Sequence, residues 1–209
     1  VQSRGTVISV DVLNREHQGR IRPLMMKLTE GLAKIAHVNI RKRGYIPTLR
    51  GLRPLGGDTH RTTDFYAQRT SKDYGLTESE LFSGLNLYEQ VRRLRLGSRA
   101  ERVSFDEFED FLSAEIFGKR VEIVPHHEKD VLLIQIGDDD ERPLYELGDG
   151  IQSVLILTFL AFTANDRVLL GIEEPETHLH PGLQRRVLEL FLRHPMLRRH
   201  QVVATTHSN

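Results

Sequence analysis

Residues 168–172 (VLLGI) and 201–206 (QVVATT) are two almost wholly apolar runs. The stretch between them, 181–193, opens on Pro181 and repeats Leu183, Val187 and Leu190 at helical spacing. Strands that are apolar on both faces belong to a sheet covered on both sides, and strand–helix–strand order makes such a sheet parallel. Crossovers of this kind put functional loops at the carboxyl ends of the strands. Glu173 and Glu174 follow the first strand and His207 follows the second. The pattern therefore predicts an α/β fold that brings two acids and an imidazole to one edge.

The rest of the chain is compatible with that frame. With 209 residues, 39% of them hydrophobic, it can build one sizeable core with room for a smaller subdomain. There is no cysteine, so disulfides and thiolate metal sites are excluded and a reducing compartment fits. The longest apolar stretch, 154–164, is interrupted by Thr158 and Thr163, and a membrane span needs roughly 20 residues. No membrane segment or signal peptide is visible. The net charge of zero conceals an asymmetry: residues 1–104 hold 19 Lys and Arg against 10 Asp and Glu, and residues 105–209 hold the reverse. A basic half can face phosphates or an acidic partner, or the two halves can neutralise each other internally.

Three regions are expected. In 1–57, part of the core, residues 6–13 alternate as a strand, Pro23 opens a helix with Leu24, Leu28, Leu32 and Ile35 in register, and a strand ends near Tyr45 and Ile46. An arginine loop follows, with Arg50 and Arg53, closed by Gly51, Pro54, Gly56 and Gly57. Residues 58–117 read as a helical insertion, with helices over 85–96 and 105–117. The second is announced by a Ser104/Glu107 capping box, and Arg92, Arg93 and Arg95 form the solvated face of the first. In 118–209, RVEIVP, VLLIQI and a third strand within DDDERPLYEL make a small antiparallel part. The glycine loop LGDG then leads into an apolar helix from Ile151 to about Ala164. Beginning at Val1 and stopping at Asn209 directly after a strand, the sequence reads as a piece of a longer polypeptide.

Two carboxylates at the tip of a buried strand repel each other and lose hydration unless a cation or a proton is shared between them. A divalent cation answers that requirement. Adjacent strand residues point to opposite sides, so the two acids take different parts. In nucleoside triphosphate hydrolysis one acid helps hold magnesium, usually through water, while the other polarises the attacking water. His207 can hydrogen-bond a terminal phosphate or that water.

The motifs YELGDGIQSV, VLLGIEEPETHLHP and VVATTHS, in this order, resemble the signature loop, Walker B strand with D-loop, and H-loop of ABC-type ATPases, in the branch of OLD-family, RecF- and SMC-like proteins. The resemblance covers residues 118–209. It implies a P-loop NTPase-like, mostly parallel sheet flanked by helices, with ATP and Mg2+ as cofactors and two heads dimerising around ATP. Glu173 then corresponds to the magnesium-associated acid, Glu174 to the catalytic base and His207 to the switch histidine. Glu176, His178 and His180 lie along the D-loop, which touches the partner head. Leu147, Gly148, Asp149, Gly150 and Gln152 form the signature, whose glycine turn feeds a helix amino terminus suited to phosphate. Arg50 is similar to an arginine near the nucleotide in the IP-x-x-R stretch of some OLD-like ATPases.

Two departures accompany the resemblance. Asp149 replaces a serine that faces the γ-phosphate, and a carboxylate there repels phosphate unless it is protonated, turned away or paired with an arginine. No G-x-x-x-x-G-K-[ST] loop is present, because around Gly118-Lys119 the other positions are Ser113 and Arg120; a missing amino-terminal segment explains this best. Heads of this kind act in the cytoplasm and govern a nuclease or other effector, with DNA as a further partner, in phage defence or DNA repair. Two rival readings remain: a metal-dependent nuclease using the acids at 138–141 and 173–174, and a non-catalytic scaffold. His178-x-His180 either ligates a metal or caps the following helix.

Overall fold

The computed structural model describes residues 8–9, 42–52, 68–69, 71–72, 76–77 and 80–207. The helix expected from Pro23, Arg53 and the Pro54–Gly57 closure lie outside the described residues. Strand β1 (Ile8–Ser9) falls within the expected 6–13 and β2 is Lys42–Ile46. Helices α1 (Leu87–Leu96) and α2 (Arg99–Leu112) precede the strands β3 (Val121–Pro125), β4 (Leu132–Ile136) and β5 (Arg142–Pro143). Helix α3 (Asp149–Thr163), strand β6 (Val168–Glu173), helix α4 (Pro181–Arg193) and strand β7 (Gln201–Thr205) complete the order.

Among the described residues the main sheet has four strands, all parallel, in the order β1-β7-β6-β2. Its register fixes the geometry of the site. Ile46 lies opposite Ile172, and Glu173 lies opposite Thr205. The chain therefore leaves β2, β6 and β7 at one edge, each within a residue or two of its neighbours. Beyond β2 the sheet is extended by a bridge at Leu81, where the Tyr45 amide donates to Glu80 O at 2.7 Å and the Phe82 amide to Tyr45 O at 2.8 Å. The second sheet, β3-β4-β5, is antiparallel.

Helix α3 is apolar almost all round, and its residues from Gln152 to Phe159 are all buried. It packs on the sheet and receives the aromatic face of α2. Phe108 meets Phe159 edge-on at 5.4 Å, and Phe111 meets Phe162 at 5.1 Å. One hydrophobic cluster holds residues of the parallel sheet, α3, the antiparallel strands and both helices α1 and α2. Among the described residues no helix is long and apolar enough to cross a membrane.

Three expectations need correction, on the start of α2, on its end and on Arg95, and the third antiparallel strand is present as expected but short. Helix α2 starts at Arg99, and its capping box is Ser98 with Glu101: the Ser98 amide donates to Glu101 Oε2 at 2.8 Å and the Glu101 amide to Ser98 Oγ at 3.3 Å. The S-x-x-E pattern occurs twice, and the earlier copy, directly after Gly97 at the end of α1, caps the helix; Ser104 lies inside it. The helix ends at Leu112 and continues as a π-turn, Ser113–Phe117, closed by Gly118 at φ 65°. The third antiparallel strand is only two residues long, since a 3-10 turn follows at Leu144–Glu146. Arg95 is not on a solvated face: it donates to Asp106, Glu109 and Ile123 O and stacks over Phe105 at 4.6 Å, tying α1 to α2 and β3. Glu109 needs this cation, because burial raises its pKa.

Candidate nucleotide site

Strand β6 delivers Glu173 while still in the sheet, and its side chain turns toward β2. Glu173 Oε1 accepts the Tyr45 hydroxyl, while Oε2 accepts the Thr48 amide and the Thr48 hydroxyl, each at 3.1 Å. The next residue leaves the strand with an unusual backbone. Glu174 has φ 40°, in the left-handed region that costs a non-glycine residue about 1–3 kcal/mol and persists only where its surroundings over-determine it. Its amide still donates to Thr205 O at 2.9 Å, and its carbonyl accepts the Thr177 amide at 3.0 Å. The Glu174 side chain reaches toward β7: Oε1 lies 3.2 Å from His207 Nε2, and Oε2 accepts the Thr177 hydroxyl at 3.3 Å. Neighbouring acids thus reach toward different neighbours of β6, Glu173 toward the end of β2 and Glu174 toward the end of β7.

His207 is exposed and its backbone is held from below. Glu176 Oε1 accepts the His207 amide at 2.8 Å and the Thr206 hydroxyl at 2.7 Å. Arg50 occupies the inside of the 173–177 turn. Its Nη1 donates to Glu173 O at 3.0 Å and Pro47 O at 3.3 Å, and its Nη2 to Glu174 O at 3.0 Å, Thr177 O at 3.3 Å and Pro175 O at 3.4 Å. Burial lowers the pKa of this guanidinium, against the raising pull of Glu176, Glu174 and Glu173.

The glycine turn comes to the same neighbourhood. Leu147 is buried in the core, Gly148 is the N-cap of α3 and Asp149, exposed, is its first residue. Gly150 is packed so closely that a Cβ would come within 3.1 Å of the His178 carbonyl oxygen. The buried Gln152 secures the turn, with Nε2 donating to Leu147 O at 2.6 Å and Tyr145 O at 2.9 Å. A cavity of about 310 Å3 is lined by Arg50, Leu85, Asp149, Gln152, Ile156 and His178, among others. His178 also has a left-handed backbone, φ 67°. His180 Nδ1 accepts the Gly182 amide at 3.3 Å and so caps α4. Among the described residues no group of three or more His, Asp or Glu side chains could hold a metal ion. Residues 126–128 (HHE), a second cluster of titratable side chains, and the acids at 138–141 sit in the turns that join the strands of the antiparallel sheet.

A family model described as "AAA domain, putative AbiEii toxin, Type IV TA system" matches residues 41–209, well over half of the chain. The chain belongs to this family. Comparison with curated proteins gives no match. This AAA domain is therefore of the P-loop ATPase type, and its parallel sheet with flanking helices and a small antiparallel sheet is the P-loop NTPase-like fold expected of it. Nucleotide binding is the function that goes with that family.

For magnesium, the donor set around Glu173 decides how the residues of this AAA domain fit. A carboxylate enclosed by the hydroxyls of Tyr45 and Thr48 and by an amide suits accepting hydrogen bonds from a metal's water, rather than direct bidentate ligation. That fits an outer-sphere role. Sequence reasoning missed Tyr45 and Thr48 as holders of Glu173, Thr177 as a partner of Glu174, and the tie from Glu176 to the end of β7. The signal for the first pair lay in YIPT, but it becomes legible only once β2 is known to neighbour β6.

Proposed function

We propose that this chain is the ATP-binding and ATP-hydrolysing head of an ABC-type ATPase in the OLD, RecF and SMC-like branch. It dimerises head to head around ATP in the cytoplasm and controls an associated nuclease or other effector acting on nucleic acid, in phage defence or DNA repair. The observation that supports this best is the contact between Glu174 and His207 at 3.2 Å, made across adjacent parallel strand ends by a glutamate with a left-handed backbone. Glu174 is the base that polarises the attacking water, and His207 orients that water or the γ-phosphate. Glu173 would hold a magnesium ion through water, and that ion, when bound, would neutralise charge on the phosphates. Gly148, Asp149 and Gly150 open α3 with amides that precede its first intrahelical bonds, and with His178 they form the edge offered to the partner head's nucleotide. The family's description names a type IV TA system, so a toxin–antitoxin context is a further setting for such a head.

The test uses the full-length protein. Glu174→Gln should bind ATP within about threefold of the parent and lose turnover by at least about 100-fold. Unaltered hydrolysis in that variant removes the base assignment.

A further inference from the structure

Arg50 makes a set of contacts that binding a nucleotide does not call for. The carbonyl oxygens of Glu173, Glu174, Pro175 and Thr177 all converge on its two terminal nitrogens, at 3.0 to 3.4 Å. Four carbonyl dipoles pointing into one turn repel each other, and a positive charge at their focus relieves that repulsion. A planar guanidinium with several donors in a fixed fork meets that requirement, whereas an ammonium is a single point of charge. The residue inside this ring is Glu174, whose φ of 40° is a conformation an L residue rarely adopts. Its amide, held by Thr205 O, fixes one side of that residue, and Arg50 with the Thr177 amide fixes its carbonyl. Release of the carbonyl lets the backbone relax, and the carboxylate then leaves His207.

We infer that Arg50 is a positioning residue: it clamps the 173–177 turn through its carbonyls and so holds Glu174 in the left-handed conformation that aims its carboxylate at His207 and the attacking water. This rests on Glu174 being the general base. It differs from a direct nucleotide contact in what it controls, since a clamp governs the chemical step and a contact governs affinity. Misplacing a catalytic group by an ångström costs on the order of 100-fold in rate.

In the full-length protein, Arg50→Ala should lower kcat by about 100-fold while the ATP Kd stays within about threefold of the parent. Arg50→Lys keeps the charge and the stem, protects folding if the alanine variant unfolds, and should recover only part of the rate, again without change in Kd. In a Glu174→Gln background, adding Arg50→Ala should cause no further loss of the residual turnover, because the group it positions is gone. An ATP Kd weakened by more than about tenfold with kcat retained overturns the clamp in favour of a nucleotide contact. So do losses that multiply in the double variant, or an Arg50→Lys variant as fast as the parent. Glu174→Gln with unaltered turnover is a separate result that sinks the base assignment itself, and the clamp with it.

Discussion

Replacing Tyr45 by Phe removes one hydroxyl from the hold on Glu173. The ring is 8% exposed at the end of β2, so Phe keeps its packing. Glu173 Oε1 loses the phenol, while Oε2 keeps the amide and hydroxyl of Thr48. A hydrogen bond to a charged group contributes about 1.5–3 kcal/mol, and the half-buried setting of Glu173 argues for about 2 kcal/mol. For a chain of this size each kcal/mol moves Tm by roughly 2–4 °C, so the expected fall is roughly 4–8 °C. Urea unfolding of the parent and of Tyr45→Phe should show a lower midpoint at an unchanged slope, because the same surface is exposed. The decisive measurement is the double-mutant cycle with Glu173→Gln, in which the phenol faces a neutral amide and its loss should cost about 1 kcal/mol or less. A loss below about 0.5 kcal/mol in the parent, or equal losses in both backgrounds, refutes the charge-assisted bond.

Three further outcomes follow. His200 is buried, its Nδ1 accepts the Val168 amide at 3.1 Å, and burial above all, then Arg199, lowers its pKa from 6.5 to about 4, against the carbonyls of Ala161 and Met196. Between those two values the unfolded chain binds the proton that the folded chain refuses. Stability should therefore be full above pH 6.5 and decline as pH falls toward 4, by on the order of 2 kcal/mol in urea midpoints taken across that range, with His200→Gln showing a flatter profile. Gly84 has φ 93°, and an added Cβ would come within 2.9 Å of Gly51 O and 2.7 Å of Ile156 Cδ1. Gly84→Ala should cost about 2–4 kcal/mol in thermal unfolding. Gly148→Ala, with nothing within 4 Å of its Cβ, should cost less than about 1 kcal/mol.

The sheet was legible where periodicity was strong. VLLGI and QVVATT are apolar on both faces and became adjacent parallel strands, and Pro181 opens α4 where a proline is tolerated best. The start of α2 was not, because two copies of one capping signal compete and only the break at Gly97 chooses between them. Arg95 shows a second limit: charge alone does not reveal that Glu109, nearly three turns into the next helix, is buried and needs a partner. At the candidate site, the meeting of Glu174 and His207 follows from the rule that functional loops gather at strand carboxyl ends. The environments of Glu173 and Arg50 do not, since they depend on β2 lying beside β6 in a particular register, and strand order leaves no trace in local pattern.

The grip of Glu176 on Thr206 and on the amide of His207 makes the stretch after β6 and the tip of β7 one mechanical body. The two bonds converge on one carboxylate oxygen, so the residue that carries the imidazole is anchored by its backbone to the turn that carries Glu174.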